Sequence, residues 1–247
     1  MSKVKSAVIL AAGMGTRLQD VLEHTPKGLL EIGGKTLILE SLRRLTNAGI
    51  HDIIIVTGHA SDKYQTALAD IYPGVRYVTN KEFETTGSMH SLYQARELVS
   101  KDFLLLESDL LYEDRSVPAL LNCQHDTTIL ISGKTNSGDE VYVCGKEGLV
   151  KRINKKLTDQ FPCQGELVGI SKISLEFYEK LCRYYENNLE SQRFAHYEEC
   201  ISELSSTSEV HYFKINDLVW TEIDNPEHLN RALNQIYPQI YGHLPPK

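Results

Sequence analysis

Four apolar runs in the first half of the chain, each bounded by turn residues, alternate with segments whose apolar residues recur at helical spacing. The runs are residues 7–10, 52–57, 75–78 and 103–107, and the helical segments between them are 36–48, 61–71 and 91–99. Strand–helix–strand order forces crossover connections, so these strands are expected to lie parallel in a sheet covered on both faces. After Asp109 the texture changes. Residues 127–132, 140–144 and 149–153 read as short strands separated by Gly- and Asn-containing turns, the pattern of hairpins, and 166–173 returns as a longer strand. Helices over 175–186 and 196–204, a strand near 210–215 and a helix over 226–236 complete the order, the last capped by Asp224 or Asn225. The expected fold class is α/β: a mostly parallel mixed sheet flanked by helices, with a small β-hairpin lid. Residues 1–240 are read as a single domain and 241–247 as a tail or linker, beyond which a fusion partner or oligomer contact would lie.

Composition narrows the function classes. The 247 residues are 41% hydrophobic and 24% charged, which suits a soluble chain with a sizeable core. A net charge of −7 argues against a protein whose main task is gripping nucleic acid. There is no run of 18 apolar residues, so no membrane insertion is expected. The opening MSKVKSAVILAAG superficially resembles a secretion signal, but its apolar part is short, Val/Ile-rich and runs straight into a glycine turn, which fits a buried first strand better. Five cysteines, an odd number without a CxxC pair, point to unbridged thiols in a reducing cytoplasm.

The strand AVIL feeds Leu10-Ala11-Ala12-Gly13-Met14-Gly15-Thr16-Arg17, and Pro26-Lys27 follows. Glycines after a buried strand let backbone N–H groups approach a polyphosphate without interference from Cβ atoms. Arg17 adds a planar fork for phosphate oxygens and Lys27 a mobile point charge. Two other phosphate loops are excluded. A Walker A loop needs GxxxxGK[ST], and the dinucleotide fingerprint GxGxxG fails where Leu18 replaces its third glycine, which also removes a nicotinamide-binding oxidoreductase.

The string LAAGxGTR with a downstream Pro-Lys resembles the signature of the sugar-nucleotide pyrophosphorylase-like nucleotidyltransferases, and with it Glu107-Ser108-Asp109 and Glu222-Ile223-Asp224 resemble that family's two acidic motifs. The resemblance covers nearly the whole chain and implies a Rossmann-like domain that binds an NTP on its first loop. It further implies catalysis by Arg17, Lys27 and Asp109, and Mg2+ held by Asp109 and Asp224. Within the family, residues 80–93 (NKEFETTGSMHSLY) are similar to the small cytidylyltransferases acting on phosphocholine or 2-aminoethylphosphonate. Gly28 departs from the pattern, since many relatives carry Ala or Pro after the lysine. The residues taken by themselves agree. Nucleotidyl transfer is an in-line displacement at the α-phosphorus driven by positioning and charge neutralisation. Two carboxylates from separate strand ends suit a magnesium ion, and an anionic acceptor oxygen needs no general base.

The expected partners are therefore CTP and a small zwitterion, with 2-aminoethylphosphonate ahead of phosphocholine and a sugar 1-phosphate third. A nucleotide-binding regulator without activity is the reading from another class, and the presence of Lys27, Asp109 and Asp224 speaks against it. Thr86-Gly87-Ser88, between a strand and a helix, offers hydroxyls and amides to a pyrimidine, with a plain helix cap as the alternative. Tyr93, Tyr112, Tyr142 and Trp220 are candidates to cradle an ammonium group, although most aromatics in such a chain are core. Glu107, Glu140 and Glu222 are candidate amine partners, Glu140 reading better as solvated charge; His90 and Ser88 tilt the choice toward a primary amine. His196 and Cys200 have helical i, i+4 spacing, but without a second pair they do not make a metal site.

Overall fold

Strand β1 (Ser6–Ala11) is buried along its whole length. Val8 and Leu10 enter one apolar layer and Ala7, Ile9 and Ala11 the other, which is why its sequence shows no polar alternation. The computed structural model describes residues 4–18, 25–157 and 160–245; of the expected tail, residues 246–247 lie outside the described residues. After β1 come a short hairpin, β2 (Glu31–Ile32) and β3 (Lys35–Thr36), and helix α1 (Leu37–Asn47). Thr36 caps α1 by accepting from Leu39 N–H, and Gly49 at φ +79° ends it, where Ile50 N–H returns to Leu45 O.

Strands β4 (Asp52–Thr57) and β5 (Arg76–Thr79) flank helix α2 (Ser61–Leu68); helix α3 (Ser88–Gln94) then leads to β6 (Phe103–Glu107). The chain continues through β7 (Leu110–Tyr112), α4 (Ser116–Leu121), β8 (Thr128–Ser132), the hairpin β9 (Tyr142–Lys146) and β10 (Leu149–Asn154), and the long β11 (Cys163–Ile173). Helices α5 (Leu175–Asn187), α6 (Leu189–Gln192) and α7 (Tyr197–Leu204) precede β12 (His211–Ile215) and β13 (Trp220–Glu222). Helix α8 (Pro226–Arg231), a π-type stretch at Ala232–Ile236 and α9 (Tyr237–Tyr241) finish the described chain.

The main sheet has the order β5-β4-β1-β6-β11-β8-β12-β10-β9. Its first four strands are parallel, while β11 runs antiparallel to both β6 and β8. The first residues of β11 also pair with β9, so strands β8 to β12 close on one another at the far side. Helices α1, α2 and α4 cover one face, and α3, α5 and α7 the other. From β1 the chain steps outward through β4 to β5 and then returns to place β6 on β1's other side. That reversal opens a crevice beyond the carboxyl ends of β1 and β6, the place where open α/β sheets bind ligands.

The α/β expectation is met, with local differences. The expected helix over 91–99 begins earlier, at Ser88, and passes into a tight turn at Ala95–Glu97. Of the two cap candidates, Asn225 accepts from His228 N–H at 2.8 Å, and this leaves Asp224 free for other partners. Strands β7 and β13 form an unforeseen two-stranded antiparallel ribbon. Each is three residues long, too short for a period to show in the sequence. Among the described residues no helix is long and apolar enough to cross a membrane.

Candidate active site

All of the residues singled out on the first loop line one cleft of about 450 Å³: Leu10, Ala11, Ala12, Gly13, Gly15, Thr16 and Arg17. Gly15 takes φ +61°, a turn geometry that favours glycine. A Cβ added at Gly13 would meet no atom of the described residues within 4 Å, so among these that backbone presents a bare surface. The turn is fixed from behind, since Ser108 N–H donates to Leu10 O at 3.1 Å and His59 N–H to Ala12 O at 3.3 Å.

Lys27 enters the cleft on a tight turn, Lys27–Leu29, closed by Leu30 N–H to Lys27 O at 2.9 Å. A side chain at Gly28 would come within 2.6 Å of the Tyr64 hydroxyl and 3.0 Å of Ser108 Cβ. The departure from Ala or Pro at this position is thereby explained: the buried Tyr64 of α2 occupies the space. Lys27 Nζ donates to Asp224 Oδ1 at 2.6 Å and pairs as well with Asp109. Burial alone would lower the ammonium pKa, but Asp109, Asp224 and Glu222 overcome it and raise it. Burial likewise opposes the Asp224 carboxylate, yet Lys27 and Arg17 hold its pKa down at about 2.

Ribbon β7–β13 brings the two acidic motifs together. Glu222 faces Leu110 across it, and Ile223 N–H donates to Asp109 O at 3.1 Å. Oxygens of Glu107, Asp109 and Glu222 lie within 4.8 Å of one another. Burial first, then the Asp109 charge, pushes Glu107 up to about 8 and raises Glu222 well above the carboxylate range. Asp109 thus belongs to both groupings, the acidic triplet and the lysine-bridged pair, whereas Asp224 contacts Lys27 and, at 3.0 Å, Arg17. Among the described residues seven carboxylates line the cleft against three permanent cations, Arg17, Lys27 and Lys155. A crowded all-oxygen donor set with this charge deficit fits a hard divalent cation. Such an ion would be held by Asp109 and Glu222, with Glu107 or Asp224 completing the set, and would neutralise charge on phosphate oxygens.

Thr86, Gly87 and Ser88 also line the cleft. Much of their hydrogen-bonding capacity is used internally: Thr86 Oγ1 donates to Glu82 O at 2.7 Å and accepts from Asn80 Nδ2, and Gly87 N–H donates to Arg193 O. A Cβ at Gly87 would collide with the backbone carbonyls of Phe194 and Ala195, so glycine lets the turn pack on that segment. Ser88 Oγ accepts from Tyr197 N–H at 3.1 Å and lies 3.2 Å from His196 Nδ1. The Tyr197 hydroxyl in turn donates to Glu107 Oε1 at 2.7 Å.

Other candidates are dispersed. Trp220 lines the cleft, its Nε1–H donating to Ser132 Oγ; Tyr93, Tyr112 and Tyr142 do not line it. Glu140 is likewise outside the lining, and His90 is held by Tyr185 and Gln94 away from it. His196 and Cys200 do not converge: His196 caps α7 and meets Ser88, while Cys200 is buried with its thiol toward Gln192. Asp139, Glu198 and Lys155 are among the cleft residues that escaped sequence reasoning. Asp139, on the connection into β9, accepts from Arg17 and Lys155, each at 2.9 Å, and Glu198 opens α7 facing the cleft. Lys155 sits in the run Asn154-Lys155-Lys156 at the end of a hairpin, the one local signal that could have marked it.

A bare glycine turn at a parallel-strand terminus, a buried lysine and an acidic cluster at the sheet's switch point define an α/β nucleotide-handling site. Comparison places it more narrowly. The chain belongs to the family of MobA-like NTP transferase domains, which residues 7–171 match. It is 29% identical over 184 residues to the 2-aminoethylphosphonate cytidylyltransferase of Lancefieldella rimae, covering 72% of this chain and 71% of that one. It is 33% identical over 117 residues to the CMP-5'-(3-aminopropyl)phosphonate synthase of Streptomyces rubellomurinus, covering 47% of this chain and 18% of that protein. The solved CTP:phosphocholine cytidylyltransferase of Streptococcus pneumoniae superposes with a TM-score of 0.78 at 24% identity, over 94% of this chain and 98% of that one. The chain spans less than two thirds of the length of several curated relatives that it matches.

Proposed function

We propose that the protein is a magnesium-dependent cytidylyltransferase that moves CMP from CTP to a small zwitterionic phosphonate, with 2-aminoethylphosphonate the preferred acceptor, and that residues 1–240 act as one catalytic domain. The observation that carries the reading is the placement of Lys27 between Asp109 and Asp224 beside the bare Gly13 turn. In this scheme Arg17 and Lys155 leave Asp139 for ligand phosphates, Arg17 for the triphosphate and Lys155 for the acceptor. Lys27 neutralises the charge that builds at the α-phosphate as the acceptor oxygen displaces pyrophosphate. No general base is needed, because the attacking phosphonate oxygen is already ionised. Mg2+, when bound among the carboxylates, supplies further charge neutralisation on the α-phosphate.

The acceptor's amine is assigned to Glu107 and Glu198, half-buried carboxylates on the α7 side of the cleft. A desolvated primary ammonium wants directed acceptors, and these are present; a quaternary head wants several rings, and Trp220 is the single aromatic among the four candidates to line the cleft. That balance puts 2-aminoethylphosphonate ahead of phosphocholine. Kinship with two aminophosphonate-handling relatives supports the same order. The test is pyrophosphate release from each of the four NTPs against 2-aminoethylphosphonate, phosphocholine, phosphoethanolamine and a set of sugar 1-phosphates. The expected outcome is highest kcat/KM for CTP with 2-aminoethylphosphonate. Turnover of sugar phosphates alone would defeat the acceptor assignment, and equal use of ATP and CTP the nucleotide assignment.

A further inference from the structure

Strands β9 and β11 set two cysteines face to face. Cys144 and Cys163 are direct partners in the antiparallel ladder. Gly145 N–H donates to Pro162 O at 3.0 Å, so the ladder bond flanks the pair instead of joining it. Such a non-hydrogen-bonded position is where facing Cα atoms come closest, about 4.5 Å, with side chains adjacent. That separation falls inside the window of about 4.4–6.8 Å that a disulfide spans without moving the backbone. Both thiols are free; Cys144 is buried and Cys163 only half-buried, so an oxidant meets Cys163 first. The other three cysteines, Cys123, Cys182 and Cys200, lie outside the strands.

We propose that Cys144 and Cys163 form a reversible dithiol–disulfide switch that closes under peroxide and staples β9 to β11 at the root of the lid. Hydrogen peroxide oxidises the Cys163 thiol to a sulfenic acid and is itself reduced to water. The Cys144 sulfur then attacks the sulfenic sulfur, forming the S–S bond and expelling the hydroxyl, which leaves with the thiol proton as a second water. Two thiols lose two electrons and two protons, and the peroxide takes up both. The staple sits where it can matter to the cleft. Three residues on, Glu166 accepts from Thr135 N–H at 2.7 Å and from its hydroxyl at 2.9 Å, and Leu167 N–H donates to Val141 O at 2.8 Å. The segment from Thr135 to Val141, which carries the Arg17 partner Asp139, therefore hangs between the two strands that the disulfide would lock.

The switch does not depend on which substrate the protein uses. The full chain is treated with hydrogen peroxide, alkylated and digested without reductant, and the peptides are weighed. A Cys144–Cys163 linked peptide, lighter than its two halves by two hydrogen atoms and split by dithiothreitol, is the expected product. Oxidation should also raise Tm by roughly 5–10 °C, the effect of closing a loop of this size in a chain of this length. Cys163→Ser and Cys144→Ala should each abolish both changes while melting close to the reduced parent. The proposal is overturned if the two thiols stay separately alkylated, if they cross-link indiscriminately to the other three, or if the link forms and leaves Tm unmoved. Because the readouts are mass and melting, such a failure would leave the nucleotidyl-transfer reading standing, and a failed substrate panel would leave the switch standing.

Discussion

One ammonium at Lys27 offsets two aspartates in a half-enclosed cleft, so its removal should act twice. Lys27→Ala deletes a charge that stabilises the pentavalent transition state, and we expect turnover to fall by about 10²–10³ or more, the cost of one oxyanion partner. It also leaves Asp109 without its cation and Asp224 with Arg17 alone, so Tm without metal should drop. Arg17→Ala, at a side chain 54% exposed, should reduce turnover comparably and hardly move Tm. Steady-state kinetics and melting of both variants check the contrast; a folded Lys27→Ala protein with near-parental rates would remove the central claim. Arg17, Asp109 and Asp224 were legible because each lies in a short string just past a strand, and Lys27 because Pro-Lys follows the glycine loop. Asp139 and Glu198 were not, because tertiary folding alone carries them to the cleft. Glu222 was read as an amine partner, and its place beside Asp109 became visible only with the ribbon β7–β13.

At the scale of elements, the start of α7 ties the two ends of the cleft together: Tyr197 N–H holds Ser88 Oγ, and the Tyr197 hydroxyl holds Glu107. Tyr197→Phe keeps the packing and removes only the second bond. A hydrogen bond to a carboxylate is worth about 1.5–3 kcal/mol, so we expect KM for the acceptor to rise at least tenfold while KM for CTP stays near the parental value. Equal loss on both substrates would mean that α7 has shifted as a whole. A second element contact concerns stability. Glu40 of α1 is 6% exposed, accepts from the hydroxyl of Tyr241 in α9 at 2.9 Å, and pairs with Arg43 and Arg44. Burial opposes its charge, yet these partners hold its pKa below the ordinary 4.5. A depressed carboxylate contributes stability that is present above its unfolded pKa and lost as pH falls through the folded value. Tm should therefore decline below about pH 4.5 with a component that Glu40→Gln abolishes, as melting across pH 3–7 would show. The strands and long helices could be placed from periodicity, whereas this contact could not, since nothing local links residue 40 to residue 241.

For the molecule as a whole, the reversal of strand order between β1 and β6 fixes where the cleft must lie; the alternation of apolar runs pointed to a parallel sheet but not to that order. What the sequence did not reveal is how negative the cleft is. Among the described residues seven carboxylates there face three permanent cations, and an incoming triphosphate adds more negative charge. Without a counter-ion the cluster of Glu107, Asp109 and Glu222 is a source of repulsion that opposes the fold. A divalent cation binding only the folded cluster would stabilise it in proportion to the logarithm of its concentration. We therefore expect Mg2+ to raise Tm in the absence of nucleotide, and a chelator to reverse the rise and abolish turnover. Glu222→Gln separates this account from a general salt effect. It should melt higher than the parent in chelator, because the parent must keep this buried carboxyl protonated or bear its charge beside Asp109, and it should gain less from Mg2+. Melting curves in chelator, in Mg2+ and in NaCl of matched ionic strength decide the matter. If Glu222→Gln melts lower than the parent in chelator and keeps the full Mg2+ increment, the cluster is not the cation site, and the carboxylates serve some other purpose.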